Sequence, residues 1–193
     1  MQPACLDLPV TKGATLRKPL LLMQPTYIYR PITAILPTAP LQLTVPAHGL
    51  PGDWPTWIEG VSQWSVLNRD KAREPFRIAK PVDADTLEYN DLNGLGQRAA
   101  GGTLVYQLPV DLAGCSAELV ITPERGAELV FSTANGGLAI AGLGRLLLEM
   151  TAAQTAAIDW SEARYSLNIT FSDGSVQRWL HGKVTLSGGC CHG

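Results

Sequence analysis

Eight prolines fall between residues 19 and 55, at Pro19, Pro25, Pro31, Pro37, Pro40, Pro46, Pro51 and Pro55. An interior proline removes a helix amide donor and clashes with the preceding turn, so no long helix runs through this third of the chain. Extended strands at sheet edges, and loops, are what remain. Nineteen glycines along the chain carry the same message of many turns and short elements.

The last third shows what those elements are. Ala117 to Thr122 and Glu128 to Ser132 read as strands around a turn at Pro123-Glu124-Arg125-Gly126, and Asn135-Gly136-Gly137 turns into a third strand through Ile140. Thr151-Ala152-Ala153-Gln154 has the spacing of a capping box, in which two side chains satisfy the orphan amides of a helix's first turn. That helix is short. Arg164 to Phe171 then alternates like a half-buried strand, Asp173-Gly174 marks a hairpin, and Val176 to Leu180 is the partner strand.

Residues 38–103 have a different character. Leu41 to Val45 alternates like a strand, Pro46 to Asp53 turns, and Trp57 to Val61 returns. Phe76 to Lys80 and Thr86 to Asn90 bracket Asp83-Ala84-Asp85, and Ala99 to Thr103 leads back out. The expected fold is therefore mainly β: a β-sandwich-like domain with one short helix, from residues 1–37 and 104–187, interrupted by a small β-barrel at 38–103. Residues 188–193 are read as a tail. Insertion of a barrel requires its two ends to lie close together, which small barrels provide.

The order of these pieces resembles the amino-terminal domain of upper-baseplate and tail-fibre adaptor proteins of tailed bacteriophages. The likeness is carried by Asp111-Leu112-Ala113-Gly114, Asn135 to Ile140, Thr151 to Thr155, Tyr165 to Ile169 and Asp173 to Val184. Lys12-Gly13-Ala14-Thr15 followed by Leu16 to Met23 resembles the first strand of the same family. The middle segment, through Ala47-His48-Gly49-Leu50, Ile58-Glu59-Gly60-Val61 and Gly101-Gly102, resembles small β-barrel inserts of phage structural proteins. It is also related in pattern to a β-barrel subdomain of ubiquitin-activating enzymes, without implying ubiquitin chemistry.

Composition bounds the alternatives. A chain of 193 residues with 46% apolar and 17% charged residues has ample material for a buried core. Its formal charge of -2 argues against nucleic-acid binding through phosphate neutralisation, which favours a basic surplus. The nearest local basic cluster is Arg69, Lys71 and Arg73, interleaved with Asp70 and Glu74 and read as a solvated loop. No apolar run approaches the roughly 20 residues needed to span a bilayer. Met1 to Leu8 lacks the pattern of a secretory signal.

Few residues of the chain stand in a pattern that chemistry requires. His48 and His181 lack a nucleophile in a local motif and are read as surface histidines. Asp83 and Asp85 lack the ladder of a calcium loop, and Gly94-Leu95-Gly96 and Gly142-Leu143-Gly144 lack the third glycine of a dinucleotide loop, so no cofactor is expected. Cys5 and Cys115 are isolated and read as small core residues. Cys190-Cys191-His192 has adjacent rather than spaced ligands and is read as a tail, not a metal site. Trp54, Trp57 and Trp64 are read first as filling the core of the barrel, with an exposed patch that recognises sugar or a protein as the alternative.

The resemblance implies a virion structural protein in the baseplate or tail tip, made in the host cytoplasm, connecting the tail to fibres or receptor-binding proteins. Its partners would be other tail and baseplate proteins and further copies of itself in a symmetric assembly. It is not expected to be an enzyme. Family members often continue into a long carboxy-terminal part, so ending at Gly193 suggests a connector rather than a tip. Leu16, Leu20 and Leu22 on the first strand and Trp54, Trp57 and Trp64 on the insert are the expected contact residues. The alternatives are a carbohydrate- or receptor-binding module, a head-tail connector or capsid decoration protein, and a hydrolase using Asp83, Asp85 or Glu88.

Overall fold

The computed structural model describes residues 3–188. The protein is mainly β, with curled antiparallel sheets and, among the described residues, one short α-helix. Its contacts divide it into two units. A split unit holds the residues up to Leu22 and those from Pro109 onward, and an inserted unit is Met23–Leu108.

The split unit opens with β1 (Ala4–Cys5), β2 (Leu8–Thr11) and β3 (Leu16–Leu21). The chain then leaves through the inserted unit, which contains β4 (Met23–Pro31), β5 (Ala34–Leu36), β6 (Leu41–Thr44), β7 (Trp54–Glu59), β8 (Arg77–Pro81), β9 (Thr86–Tyr89) and β10 (Thr103–Pro109). It completes the split unit with β11 (Ser116–Pro123), β12 (Leu129–Ser132), β13 (Leu138–Gly142), β14 (Arg145–Met150), helix α1 (Ala152–Ala156), β15 (Glu162–Thr170) and β16 (Val176–Ser187). Val110 N–H donates to Leu22 O at 3.0 Å, so the chain leaves and re-enters the split unit at neighbouring positions.

In the split unit one sheet runs β1-β16-β15-β11-β12, with β2 also paired to β16, and a second runs β13-β14-β3. Alternation decides what faces inward. Ala117, Leu119 and Ile121 of β11 and Tyr165, Leu167 and Ile169 of β15 are buried, and they share one core with Leu20, Leu22, Leu146, Leu148 and Met150. Each fully buried Leu or Ile contributes roughly 1.5–3 kcal/mol relative to exposure. The capping box forms as its spacing implies: Thr151 Oγ1 accepts from Gln154 N–H, and Gln154 Oε1 accepts from Thr151 N–H. Thr155, the buried residue of this helix, donates to Ala14 O at 2.8 Å and ties it to the chain start.

In the inserted unit the strand order is β4-β10-β7-β8-β9-β6-β5. Ile32 N–H donates to Gly102 O, beside β10, and Thr33 N–H donates to Thr44 O, on β6. Consecutive residues thus bond to opposite ends of the strand order, which curls the sheet into a small barrel. Leu41 and Leu43, Leu87 and Tyr89, and Leu104 and Tyr106 fill it at alternate positions. Gly102 is required where it stands, at a φ of 100° and with space for a Cβ only 2.5 Å from a Val61 methyl.

The boundaries of the insert thus differ from 38–103. Residues 23–37 carry β4 and β5, which bond into the barrel sheet rather than into the split unit. The run from Leu16 to Met23 is accordingly two strands, divided at Leu22. A proline also marks how β3 ends its sheet. Leu22 N–H points to Gly144 O, so alternation along the β3–β14 register turns the nitrogen of Pro19 toward the free edge. A proline there removes no ladder bond and leaves no donor for a stray strand.

Candidate functional site

The expected contact residues divide by burial. Leu20 and Leu22 are fully buried between the sheets of the split unit, and Leu16 packs partly buried against the same core. Trp54 is buried in the barrel, its Nε1–H donating to Gln107 O at 2.6 Å. Leu20, Leu22 and Trp54 therefore pack inside the chain, where a partner does not reach them. Trp64 is half-buried ahead of the 3-10 turn Ser65–Leu67.

Trp57 is different. Its side chain is 7% exposed, and its Nε1–H donates to Glu74 O at 3.0 Å. Two rings meet it edge to face: Tyr27 at 6.0 Å between centroids and Phe76 at 6.1 Å. Such pairs add about 0.5–1.5 kcal/mol beyond their buried area. Phe76 remains 40% exposed and Tyr29, two positions along β4 from Tyr27, is 54% exposed. Alternation puts Tyr27 and Tyr29 on one face of β4. The result is a surface patch of aromatic rings seated on a buried tryptophan.

Lys71 lies across this patch. Its Nζ is 5.7 Å from the Tyr27 ring centroid and 5.4 Å from that of Tyr29, and it donates to Glu59 Oε1 at 2.9 Å. The Glu59 hydrogen bond holds the Lys71 amine above its ordinary pKa, with the Glu59 charge adding to the effect, so the ammonium form is favoured. The neighbouring charges are also engaged. Arg69 donates to Pro75 O at 2.8 Å, Arg73 Nε lies 3.7 Å from Asp70 Oδ2, and Glu74 Oε2 accepts from Asp70 N–H at 2.7 Å. A shallow cleft of about 410 Å³ adjoins them, lined by Glu59, Gly60, Asn68, Arg69, Asp70 and Glu74. Tyr27, Tyr29 and Phe76 do not stand out as contact residues in the sequence, although the alternation in Tyr27-Ile28-Tyr29 signals two rings on one face, and Lys71, expected in a solvated basic loop, instead lies across these rings.

The candidate carboxylates hold turns together. Asp83 Oδ1 accepts from Asp85 N–H at 2.8 Å and Asp85 Oδ1 from Ala47 N–H at 2.7 Å. The first of these bonds leads the causes that lower the pKa of Asp83. Glu88 lies 3.5 Å from Lys80 Nζ and accepts from Gln42. His48 is not a surface residue: it is 2% exposed, and its two ring nitrogens link two turns. Nδ1 accepts from Leu50 N–H at 3.1 Å, and Nε2–H donates to Asp83 O at 2.8 Å, which sets the tautomer. His181 is exposed.

Cys5 is exposed on β1 rather than in the core, whereas Cys115 packs partly buried against it. Among the described residues, no three His, Cys, Asp or Glu side chains are placed to hold a metal ion. No helix among them is long and apolar enough to cross a membrane. Cys190, Cys191 and His192 lie outside the described residues.

Fold and patch together define a two-unit β protein that presents exposed aromatic rings beside an ion pair. No family model, curated protein or solved structure matches the chain.

Proposed function

We propose that the chain is a structural component of a tailed-phage particle, a baseplate or tail-tip connector that joins the tail to fibres or receptor-binding proteins. The observation that carries this reading is the patch of Tyr27, Tyr29 and Phe76 around Trp57. Aromatic residues backed by a packed, desolvated anchor are what protein interfaces use as energetic centres. The order of motifs from Lys12 to Val184 supports the same reading by its resemblance to upper-baseplate and tail-fibre adaptors. Incorporation as several copies in a symmetric ring belongs to the proposal, since repeated weak contacts add strongly when the geometry allows them together.

A proline refines the mechanism. With Pro19 turned to the free edge of β3, contacts made by sheet faces and side-chain patches are favoured over strand addition at that edge. Carbohydrate recognition is the second reading, because sugars also stack on exposed rings. Lys71 occupies a face of Tyr29 where a sugar would stack, which favours a protein partner.

Quantitative mass spectrometry of purified particles of the phage that carries the gene tests the proposal. The expected result is a fixed copy number in tails, with immunolabelling at the tail tip. Absence from intact particles overturns it. Labelling at the head-tail junction or on the capsid selects the alternative structural roles instead.

A further inference from the structure

The outer face of the split unit's larger sheet carries a second surface, distinct in chemistry from the aromatic patch. A cleft of about 530 Å³ is lined there by Pro3, Val120, Thr122, Arg164, Tyr165, Ser166, Arg178, His181 and Gly182. The register explains why these residues meet. Ser166 lies opposite both Val120 and His181, Arg164 opposite both Thr122 and Lys183, and Asn168 opposite Arg178. Residues of three strands thus form adjoining rows on one exposed face.

Among the described residues, Arg164, Arg178 and His181 line the cleft and no carboxylate does, while Asp7, whose Oδ1 accepts from Lys183 N–H, and the exposed Glu118, opposite Asn168, lie beside it. Among the described residues none of the three belongs to an ion pair, whereas the next cation on the face, Lys183, lies 2.9 Å from Glu162. Arg178 Nε donates to the neutral Asn168 Oδ1 at 3.5 Å. The Glu162 hydrogen bond and charge hold the Lys183 amine above its ordinary pKa, with Asp7 adding to the effect and Arg164 opposing it. Two guanidinium groups on one exposed face, neither held in an ion pair, leave fork-shaped donors available to an anion.

The rest of the lining narrows the anion's class. Apart from the bulge at Trp179, the described backbones of β11, β15 and β16 use their amides in ladders, unlike the runs of open amides that make phosphate nests. Its one aromatic residue, Tyr165, is 4% exposed and its hydroxyl donates to Leu6 O at 2.6 Å, so no ring is free to stack on a sugar or base. Guanidinium forks that match carboxylates, flanked by the apolar walls of Val120 and Pro3, suit side chains with an aliphatic stem and a carboxylate end. We infer that this cleft is a docking site for an acidic peptide segment of a partner protein, with Arg164 and Arg178 taking Glu or Asp carboxylates.

The test titrates the protein with a hexaglutamate peptide, with inorganic phosphate and an oligogalacturonate of equal charge as comparators. Amide shifts are followed by NMR and affinity by calorimetry. The expected result is saturable peptide binding that weakens with salt and shifts the amides of Val120, Thr122, Ser166 and His181. The double variant Arg164→Gln, Arg178→Gln should weaken it by about tenfold or more, while Arg30→Gln, on the inserted unit, leaves it unchanged. All three arginines are exposed, and thermal melting verifies that each variant is folded. No saturable binding, shifts confined to other surfaces, unchanged affinity in the double variant, or tighter binding of phosphate or oligogalacturonate would each overturn the inference.

Discussion

The Tyr89 hydroxyl donates to the Thr56 hydroxyl at 2.8 Å inside the barrel. The direction follows from the next link, because Thr56 uses its single proton on Arg77 O at 3.3 Å and can only accept from Tyr89. Thr56 and Tyr89 are both fully buried, so this chain satisfies polar atoms that water cannot reach.

Alkaline pH is expected to weaken the fold through such phenols. Burial pushes Tyr89 well above its ordinary value, and burial, followed by nearby Cys5 and Asp7, pushes Tyr165 up to about 12. A raised folded-state value favours the neutral phenol. That stability is complete below the unfolded value near 10 and is lost as pH rises from there through the folded values. Urea midpoints should hold to about pH 9 and fall by about pH 11.5. Tyr89→Phe should cost about 1 kcal/mol at neutral pH, and part of the alkaline loss should disappear with it.

The tryptophans should separate by their indole bonds. Trp57 Nε1–H has a carbonyl partner at Glu74, whereas the buried Nε1 of Trp179 finds no partner among the described residues. Trp57→Phe is therefore expected to destabilise more than Trp179→Phe, by roughly 1 kcal/mol, since only the former leaves an acceptor unpaired. Thermal or urea unfolding of the two variants decides it, and equal losses would count against this account.

Gly182 should tolerate no side chain. A Cβ there would lie 2.2 Å from Leu6 O, which belongs to backbone and cannot swing aside. Gly182→Ala is expected to cost about 3 kcal/mol or more, with loss of the β1 pairing to β16. Gly52→Ala, where a Cβ meets nothing within 4 Å, is the matching control, and hydrogen exchange at Leu6 N–H, which donates to His181 O, reads the difference.

The aromatic patch should dissociate function from stability. Tyr29→Ala removes an exposed ring and should change stability by no more than about 0.5 kcal/mol, yet reduce incorporation into particles. Trp57→Ala should cost about 3–5 kcal/mol, so its loss of function would report unfolding rather than a contact. Incorporation of Tyr29→Ala at the normal copy number would remove the patch from the interface.

The capping box at Thr151 and the Asp173-Gly174 hairpin were legible because each depends on residues within a few positions. The strands at 117–122, 128–132 and 164–171 were legible for a related reason, since alternation writes a half-buried strand directly into its residues. Arg145 to Met150 went unread, although Leu146, Leu148 and Met150 alternate inward. Its three consecutive leucines blur the polar half of the pattern. The aromatic patch was half visible, as tryptophans without their tyrosine and phenylalanine neighbours.

From its sequence alone the chain is committed to β structure with many turns, because proline and glycine act on the backbone wherever they stand. Only the tertiary structure assigned β4 and β5 to the barrel, buried Leu20, Trp54 and His48, and gathered Arg164, Arg178 and His181 on one face. Alternation says that a strand has two faces. Which face is covered depends on register with residues tens of positions away, and a local pattern carries no record of that pairing.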